Sequence, residues 1–304
     1  MAQVAWIGLG NMGRGMAKNL AAKGPLSSPL IIFNRTISRA NTFASQNANT
    51  TVASSIQDAV SKADIIFTCV GDDTAIQETI SAALTENVKG KLFVDCSTIH
   101  PNTTTSIAAS IQQRGASFVA SPVFGAPAMA EAGQVICVLA GAKEAIDQVK
   151  PYTTGVISKA VIDFSDEQPS KASQLKIMGN TFVLQMVETI AEGLVVAEKS
   201  GLGTDALQGF IEAVFPGPYV AYANRMRSGD YHKRAEPLFA VDLSRKDARH
   251  ALDMAKSVGA TMKGVEVVDA HMAQVKEHMG ARGDVAGVYG AVRQEAGLKF
   301  ENDA

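Results

Sequence analysis

The chain is short of cysteine, short of aromatic side chains and almost without net charge. Its three cysteines, Cys69, Cys96 and Cys137, are too few and too odd in number for a disulfide framework. Each lies in an apolar stretch, the setting of free thiols in a reducing compartment. Aromatic residues make up 6% of the sequence and tryptophan occurs once, so aliphatic side chains must build the core. A formal net charge of −2, with no basic stripe and no block of like charge, offers no electrostatic footprint for nucleic acid or an acidic membrane. No apolar run reaches the length of a bilayer span. The first strand pattern begins at about Gln3, with no signal or transit pattern before it. These absences lead us to expect a cytoplasmic protein without nucleic-acid or membrane partners, and no clustered ligand set predicts a metal.

What is present is ordinary globular composition at 304 residues, enough for two domains with cores of their own. In the first half, short apolar runs alternate with helical patterns. The runs are Val4–Ile7, Leu30–Phe33, Ile65–Val70, Leu92–Val94, Phe118–Val119 and Val135–Leu139. The clearest of them lack polar alternation, as strands buried on both faces do. Between the first two, Met12, Met16 and Leu20 recur at helical spacing. This alternation predicts an α/β fold, a Rossmann-type doubly wound parallel sheet.

After about Asp163 the strand signals stop. A long helical pattern runs from roughly Pro169 to Ser200, with Gly201 just past its end. Its apolar residues cover most faces, so neighbours must cover it on several sides. The pattern from Thr204 to about Leu298 reads as further helices. The expected division is therefore 1–165 as a nucleotide-binding domain and 166–304 as an all-α substrate and dimerisation domain, with a long interdomain helix. Phe182, Leu184, Met186 and Val187 cannot all face one neighbour, which predicts a homodimer or larger homo-oligomer.

Gly8-Leu9-Gly10-Asn11-Met12-Gly13 is a GxGxxG that follows a strand and opens a helix. The spacing serves a tight turn, close backbone approach to a pyrophosphate, and close packing of helix on strand. The helix N-terminus then faces the diphosphate. At the end of the second strand stands Asn34-Arg35-Thr36, where an NAD site usually carries a carboxylate for the ribose 2′-hydroxyl. Arg35 is suited to pair with a 2′-phosphate and Thr36 to donate to it, so NADP(H) is the expected cofactor. Val70, which closes its run, joins the expected cofactor-binding set.

Further segments carry a resemblance: Asp95-Cys96-Ser97-Thr98; Pro122-Val123-Phe124-Gly125 with Ala130-Glu131-Ala132-Gly133; Lys176-Ile177-Met178-Gly179-Asn180 with Met186-Val187-Glu188 and Ala197 to Leu202; and Phe239 with Lys246-Asp247. In this order the chain resembles the β-hydroxyacid dehydrogenase family, which includes 3-hydroxyisobutyrate dehydrogenase and glyoxylate/succinic semialdehyde reductase. The resemblance implies that Lys176 is the general acid/base and that Asn180 helps to hold the substrate. Residues four apart share a helix face, and a lysine in so apolar a helix can be drawn toward neutral pKa, as proton donation to a developing alkoxide requires. It further implies Thr98 and Lys246 at the cofactor, and Ser97, Phe124, Gly125, Ala126 and Phe239 at a small carbonyl or hydroxy-acid substrate.

The sequence departs from the family at three places. Phe124 and Ala126 replace a serine and a glycine of the substrate segment, Ser165–Ser170 replaces a glycine-rich approach to the lysine, and Gly179 replaces an asparagine. An apolar residue at 124 fits an imine reductase or reductive aminase as an alternative, although related imine reductases usually replace the lysine retained here. A non-catalytic NADP-binding scaffold is the reading from another class.

Overall fold

Uninterrupted runs of Val, Ile and Leu become strands covered on both faces. The computed structural model describes residues 2–303, and its nine described strands are β1 (Val4–Ile7), β2 (Leu30–Phe33), β3 (Thr50–Val52), β4 (Ile65–Thr68), β5 (Leu92–Asp95), β6 (Ser117–Ala120), β7 (Val123–Phe124), β8 (Val135–Gly141) and β9 (Ser158–Ser165). They form one sheet in the order β3-β2-β1-β4-β5-β6-β8-β7, with β9 paired to β8. Pairing is parallel from β3 through β6, then antiparallel between β8 and both β6 and β7, and parallel again between β8 and β9. The order reverses between β1 and β4, the switch point at which doubly wound sheets take their ligands.

Alternate residues of each strand feed different cores. Val4 and Trp6 of β1 join Met16 and Leu20 on one face, whereas Ala5 and Ile7 join Ile76 and Phe93 on the other. The covering helices are α1 (Gly13–Lys23), α2 (Ile37–Gln46), α3 (Ile56–Lys62), α4 (Asp73–Ala83), α5 (Pro101–Gln113), α6 (Pro127–Glu131) and α7 (Lys143–Val149). Three strands escaped the sequence reading. β3 and β7 are only three and two residues long, and the exposed edge strand β9 intersperses polar residues with its apolar ones.

The long helical pattern is α8 (Ser170–Ser200), ended by Gly201 in a left-handed conformation (φ 78°). The chain divides into two compact units within this helix, the first ending at Lys176 and the second starting at Ile177. The opening turns belong with the sheet because Ala172 and Leu175 enter its core and Ser173 Oγ lies 2.7 Å from Thr104 Oγ1. The second unit is helical throughout: α9 (Thr204–Val214), α10 (Pro218–Arg227), α11 (Asp230–Lys233), α12 (Val241–Ser257), α13 (Lys263–Met279) and α14 (Val288–Glu295). Its core gathers Leu184, Val187, Ile190 and Leu194 of α8 with Val268, Met272 and Tyr289. No described helix is long and apolar enough to cross a membrane.

One ion cluster ties this core together. His271 is buried on α13, with Nδ1 2.7 Å from Glu188 of α8 and Nε2 2.9 Å from Glu295 of α14. Hydrogen bonding to Glu188, reinforced by both carboxylate charges against the cost of burial, raises the imidazole pKa from its ordinary 6.5 to about 9. A raised folded-state pKa means that the stabilisation is complete below about pH 6.5 and is lost as pH rises through about 9. Thermal unfolding of wild type and His271→Gln should therefore differ most at mildly acidic pH and converge above about pH 10. Convergence already at neutral pH would show that the ring is not held protonated.

Candidate active site

Residues scattered through the first half of the sequence come together because each follows the carboxyl end of a strand. Gly8–Gly13 follows β1, Asn34–Thr36 follows β2, Val70 follows β4, and Ser97 and Thr98 follow β5. In parallel register these ends line one edge of the sheet at the switch point.

The glycine turn is as tight as its spacing predicts. Gly8 has φ 105°, and a Cβ there would lie 2.2 Å from the Cys69 carbonyl oxygen; one on Gly13 would lie 2.2 Å from the carbonyl oxygen of Gly8. At Gly10, in contrast, a Cβ would meet open space. The outer side of the turn is thus bare backbone, the surface a dinucleotide pyrophosphate requires. Two side chains set the loop from beneath. The indole of Trp6 donates to the Gly8 carbonyl (2.8 Å), and the Asn34 amide oxygen accepts from Leu9 N (3.0 Å). Asn34 also donates to the Thr36 carbonyl (3.1 Å). Asn34 therefore couples the glycine turn to the end of β2. Arg35, Thr36 and, one helical turn beyond Arg35, Arg39 are exposed there without a neighbouring carboxylate between 33 and 39.

At β5 the structure shows how Ser97 is held. The side chain is 3% exposed; its hydroxyl donates to Asp95 Oδ1 (2.7 Å) and accepts from Val70 N (2.9 Å). Thr68 donates to the same Asp95 oxygen (2.7 Å). This buried network locks the ends of β4 and β5 together and fixes where Ser97 and Val70 stand. Neither Ser97 nor Thr98 caps α5; His100 does, accepting from Asn102 N.

β7 brings Phe124 to Lys176. The lysine is 8% exposed, and its Nζ stands 4.7 Å from the centre of the Phe124 ring, within cation–π range. Lys171, on the same helix, is exposed and paired with Glu167, as surface lysines are. Gly125 (φ 143°) and Ala126 follow Phe124 on the surface, and Ala126 leads into α6. The Ala130–Gly133 motif has a packing role: Asn19 of α1, a residue the sequence reading missed, donates to the carbonyls of Gly15, Ala130 and Glu131 at 2.9–3.0 Å. The helix that follows the glycine turn is thereby docked to the segment that carries Phe124.

In the second unit, Asn180 is buried and donates to Asp247 Oδ2 (2.6 Å). Asp247, to which the sequence reading gave no role, also lies 3.3 Å from the ammonium of its neighbour Lys246, which is buried on α12. Phe239 is half-buried in the segment preceding that helix. No described group of His, Cys, Asp and Glu has the arrangement of a metal site.

Comparisons with known proteins agree with this geometry. Residues 3–162 match the family described as the NAD binding domain of 6-phosphogluconate dehydrogenase. Residues 170–292 match the NAD-binding domain of NADP-dependent 3-hydroxyisobutyrate dehydrogenase. An NADH-dependent oxidoreductase of Aspergillus ustus is 38% identical over 95% of this chain and 98% of its own. Glyoxylate/succinic semialdehyde reductase 1 of Arabidopsis thaliana is 28% identical over 86% of this chain and 88% of its own. In fold, 3-hydroxyisobutyrate dehydrogenase of Mycobacterium tuberculosis superimposes with a TM-score of 0.79 at 23% identity, covering 96% of this chain and 99% of that one. A glycine turn built for a dinucleotide, at the head of a sheet followed by a helical unit, thus has its counterpart along nearly the whole chain, which belongs to the β-hydroxyacid dehydrogenase family of nicotinamide-dependent oxidoreductases.

Proposed function

We propose that the chain interconverts a small hydroxy acid, or a related alcohol, with its aldehyde or keto form, using NADP(H), with Lys176 as general acid/base. The observation that carries this reading is the environment of Lys176: a buried ammonium, held over an aromatic ring, one helical turn from a buried asparagine that Asp247 orients. When bound, the reduced nicotinamide supplies hydride to the carbonyl carbon. The bare backbone at Gly10 and the amide end of α1 receive the diphosphate, and Arg35 and Thr36 take the adenosine end. Lys176 gives its proton to the carbonyl oxygen as negative charge develops there, and takes it back in the oxidative direction. Asn180, its amide fixed by Asp247, orients the same oxygen. Cytoplasm remains the proposed location.

Support for NADP(H) over NAD(H) comes from the end of β2, where Arg35 and Arg39 stand exposed with no acidic neighbour. The fungal relative is named for NADH, so the preference needs direct measurement. The single tryptophan donates to the glycine turn, which makes Trp6 fluorescence a natural reporter. NADPH should bind at least about tenfold tighter than NADH, because a charge-assisted contact contributes about 1.5–3 kcal/mol. Arg35→Ala should weaken NADPH much more than NADH; equal wild-type affinities would exclude the 2′-phosphate site.

Phe124 directs the substrate prediction. A phenyl ring replaces the hydroxyl that would help to anchor a carboxylate, so short carboxylated aldehydes should be poor substrates beside less polar carbonyls. Lys176→Ala should cost about 10²–10⁴ in turnover with cofactor affinity nearly intact. Phe124→Ser should favour succinic semialdehyde over butyraldehyde by about tenfold or more in the ratio of kcat/KM. An unchanged ratio would reduce Phe124 to packing. A cyclic imine such as 2-methyl-1-pyrroline belongs in the same assay, since the apolar ring also suits imine reduction; faster turnover of the imine would replace the hydroxy-acid reading, and inertness toward every substrate would leave an NADP-binding scaffold.

We also propose a homodimer or larger assembly. Leu184, Met186 and Val187 are covered within the helical unit itself, so they need no second copy, but Phe182 is 75% exposed on α8 and Met178, one turn earlier, is 38% exposed, an apolar stripe that a second copy would cover. Sedimentation should show no monomer at micromolar concentration; a monomer there would contradict the assembly.

A further inference from the structure

Asp284 is 1% exposed, yet its carboxylate makes no contact with any residue assigned to the chemistry except one backbone amide. Oδ2 accepts from Leu238 N (2.7 Å) and Phe239 N (3.1 Å). Oδ1 accepts from Ala286 N (2.9 Å) and lies 2.7 Å from Nη2 of Arg225, on α10. Backbone bonds run alongside: Val285 N donates to the Phe239 carbonyl (3.0 Å) and Val241 N to that of Gly283 (2.8 Å). Residues 238–241 are thus stapled to residues 283–286 through one carboxylate and a short antiparallel bridge between Ala240 and Asp284.

This staple acts on the start of α12. That helix has no side-chain cap at Ala240; its first turn is held by the buried Val241 and by this staple. Two turns on it carries Lys246 and Asp247, and Asp247 in turn holds Asn180. The carboxylate also faces Arg225, which is itself anchored by Asp230 (3.2 Å) and lies against the Tyr222 ring (5.2 Å). A buried carboxylate that accepts from three amides and lies against one guanidinium is a rigid joint, because each amide left unpaired would be costly.

We infer that Asp284 is a positioning residue for the substrate side of the active site, setting Phe239 directly and Lys246, Asp247 and Asn180 through the start of α12. The inference rests on the reading of Phe239 and Asn180 as substrate-site residues, and its test separates the two. Asp284→Asn keeps the size of the side chain but exchanges one acceptor oxygen for an amide group that cannot accept from Leu238 and Phe239. Amide exchange at 238 and 239 should accelerate by about tenfold or more, with α13 and the sheet unit unchanged. KM for succinic semialdehyde and butyraldehyde should rise about tenfold with kcat changed by less than about threefold. Asp284→Asn added to Phe239→Ala should raise KM by clearly less than the product of the two single effects, because the route through Phe239 is shared. Arg225→Lys, which retains the charge with less reach, is the milder variant and should shift KM the same way. A Phe239→Ala enzyme with unchanged KM would refute the substrate-site reading. A shifted KM in Phe239→Ala beside an unchanged one in Asp284→Asn, or accelerated exchange spread through the whole helical unit, would refute the positioning role alone.

Discussion

The first unit depends on a steric constraint: at Gly8 and Gly13 the chain passes so close to carbonyl oxygens that no side chain fits. That approach turns the chain within a few residues from the end of β1 into α1, and it leaves amides rather than side chains facing outward. The rest of the cofactor edge is built to hold the turn in place. Trp6 reaches it from the core, Asn34 from the end of β2, and Asn19 fastens the helix behind it to the segment after β7. The Asp95 network then aligns β4 with β5 beside it. The shape of this turn is therefore a property of backbone placement, with side chains acting mainly as braces.

Buried charge follows a consistent rule across the molecule. Lys176 has an aromatic ring beneath its ammonium, His271 lies between two carboxylates, and Asp284 faces three amides and an arginine. Each of these charges has at least one partner of specific geometry within its own unit. Such groups are expensive to bury unpaired and correspondingly good at fixing one arrangement among several. Phe124, where the family usually has a serine, belongs in this account because its ring lies beside the lysine.

The parallel strands and the long helix were legible because they are carried by local pattern. Val4–Ile7 and Leu30–Phe33 have the boundaries their composition predicts, and α8 starts one residue past Pro169. The glycine turn was legible because its spacing encodes a steric requirement. The strands missed, β3, β7 and β9, are short or lie at an exposed edge, where burial does not enforce a period. In the site, what escaped was the layer of braces. Asn19, Asp247 and Asp284 each brace a partner between 45 and 112 residues away in sequence, and no local window contains that contact. Ser97 adds a bracing contact of the same kind: its residue type and place after a strand suit the expected site, and only the positions of Asp95 and Val70 show that its hydroxyl also ties β4 to β5.

The continuity of α8 bears on how this architecture can be recombined. The two units meet in the chain between residues 176 and 177, within a turn whose neighbours are the proposed proton donor and the asparagine four positions on. A helix advances about 100° per residue, so a graft that adds or drops a single residue there would swing Asn180 away from the face it shares with Lys176. Family members can exchange halves at this point only in phase. Insertions should collect instead in the loops beyond either end of the helix, and a library of chimaeras crossed within it should survive only where the helix length is conserved.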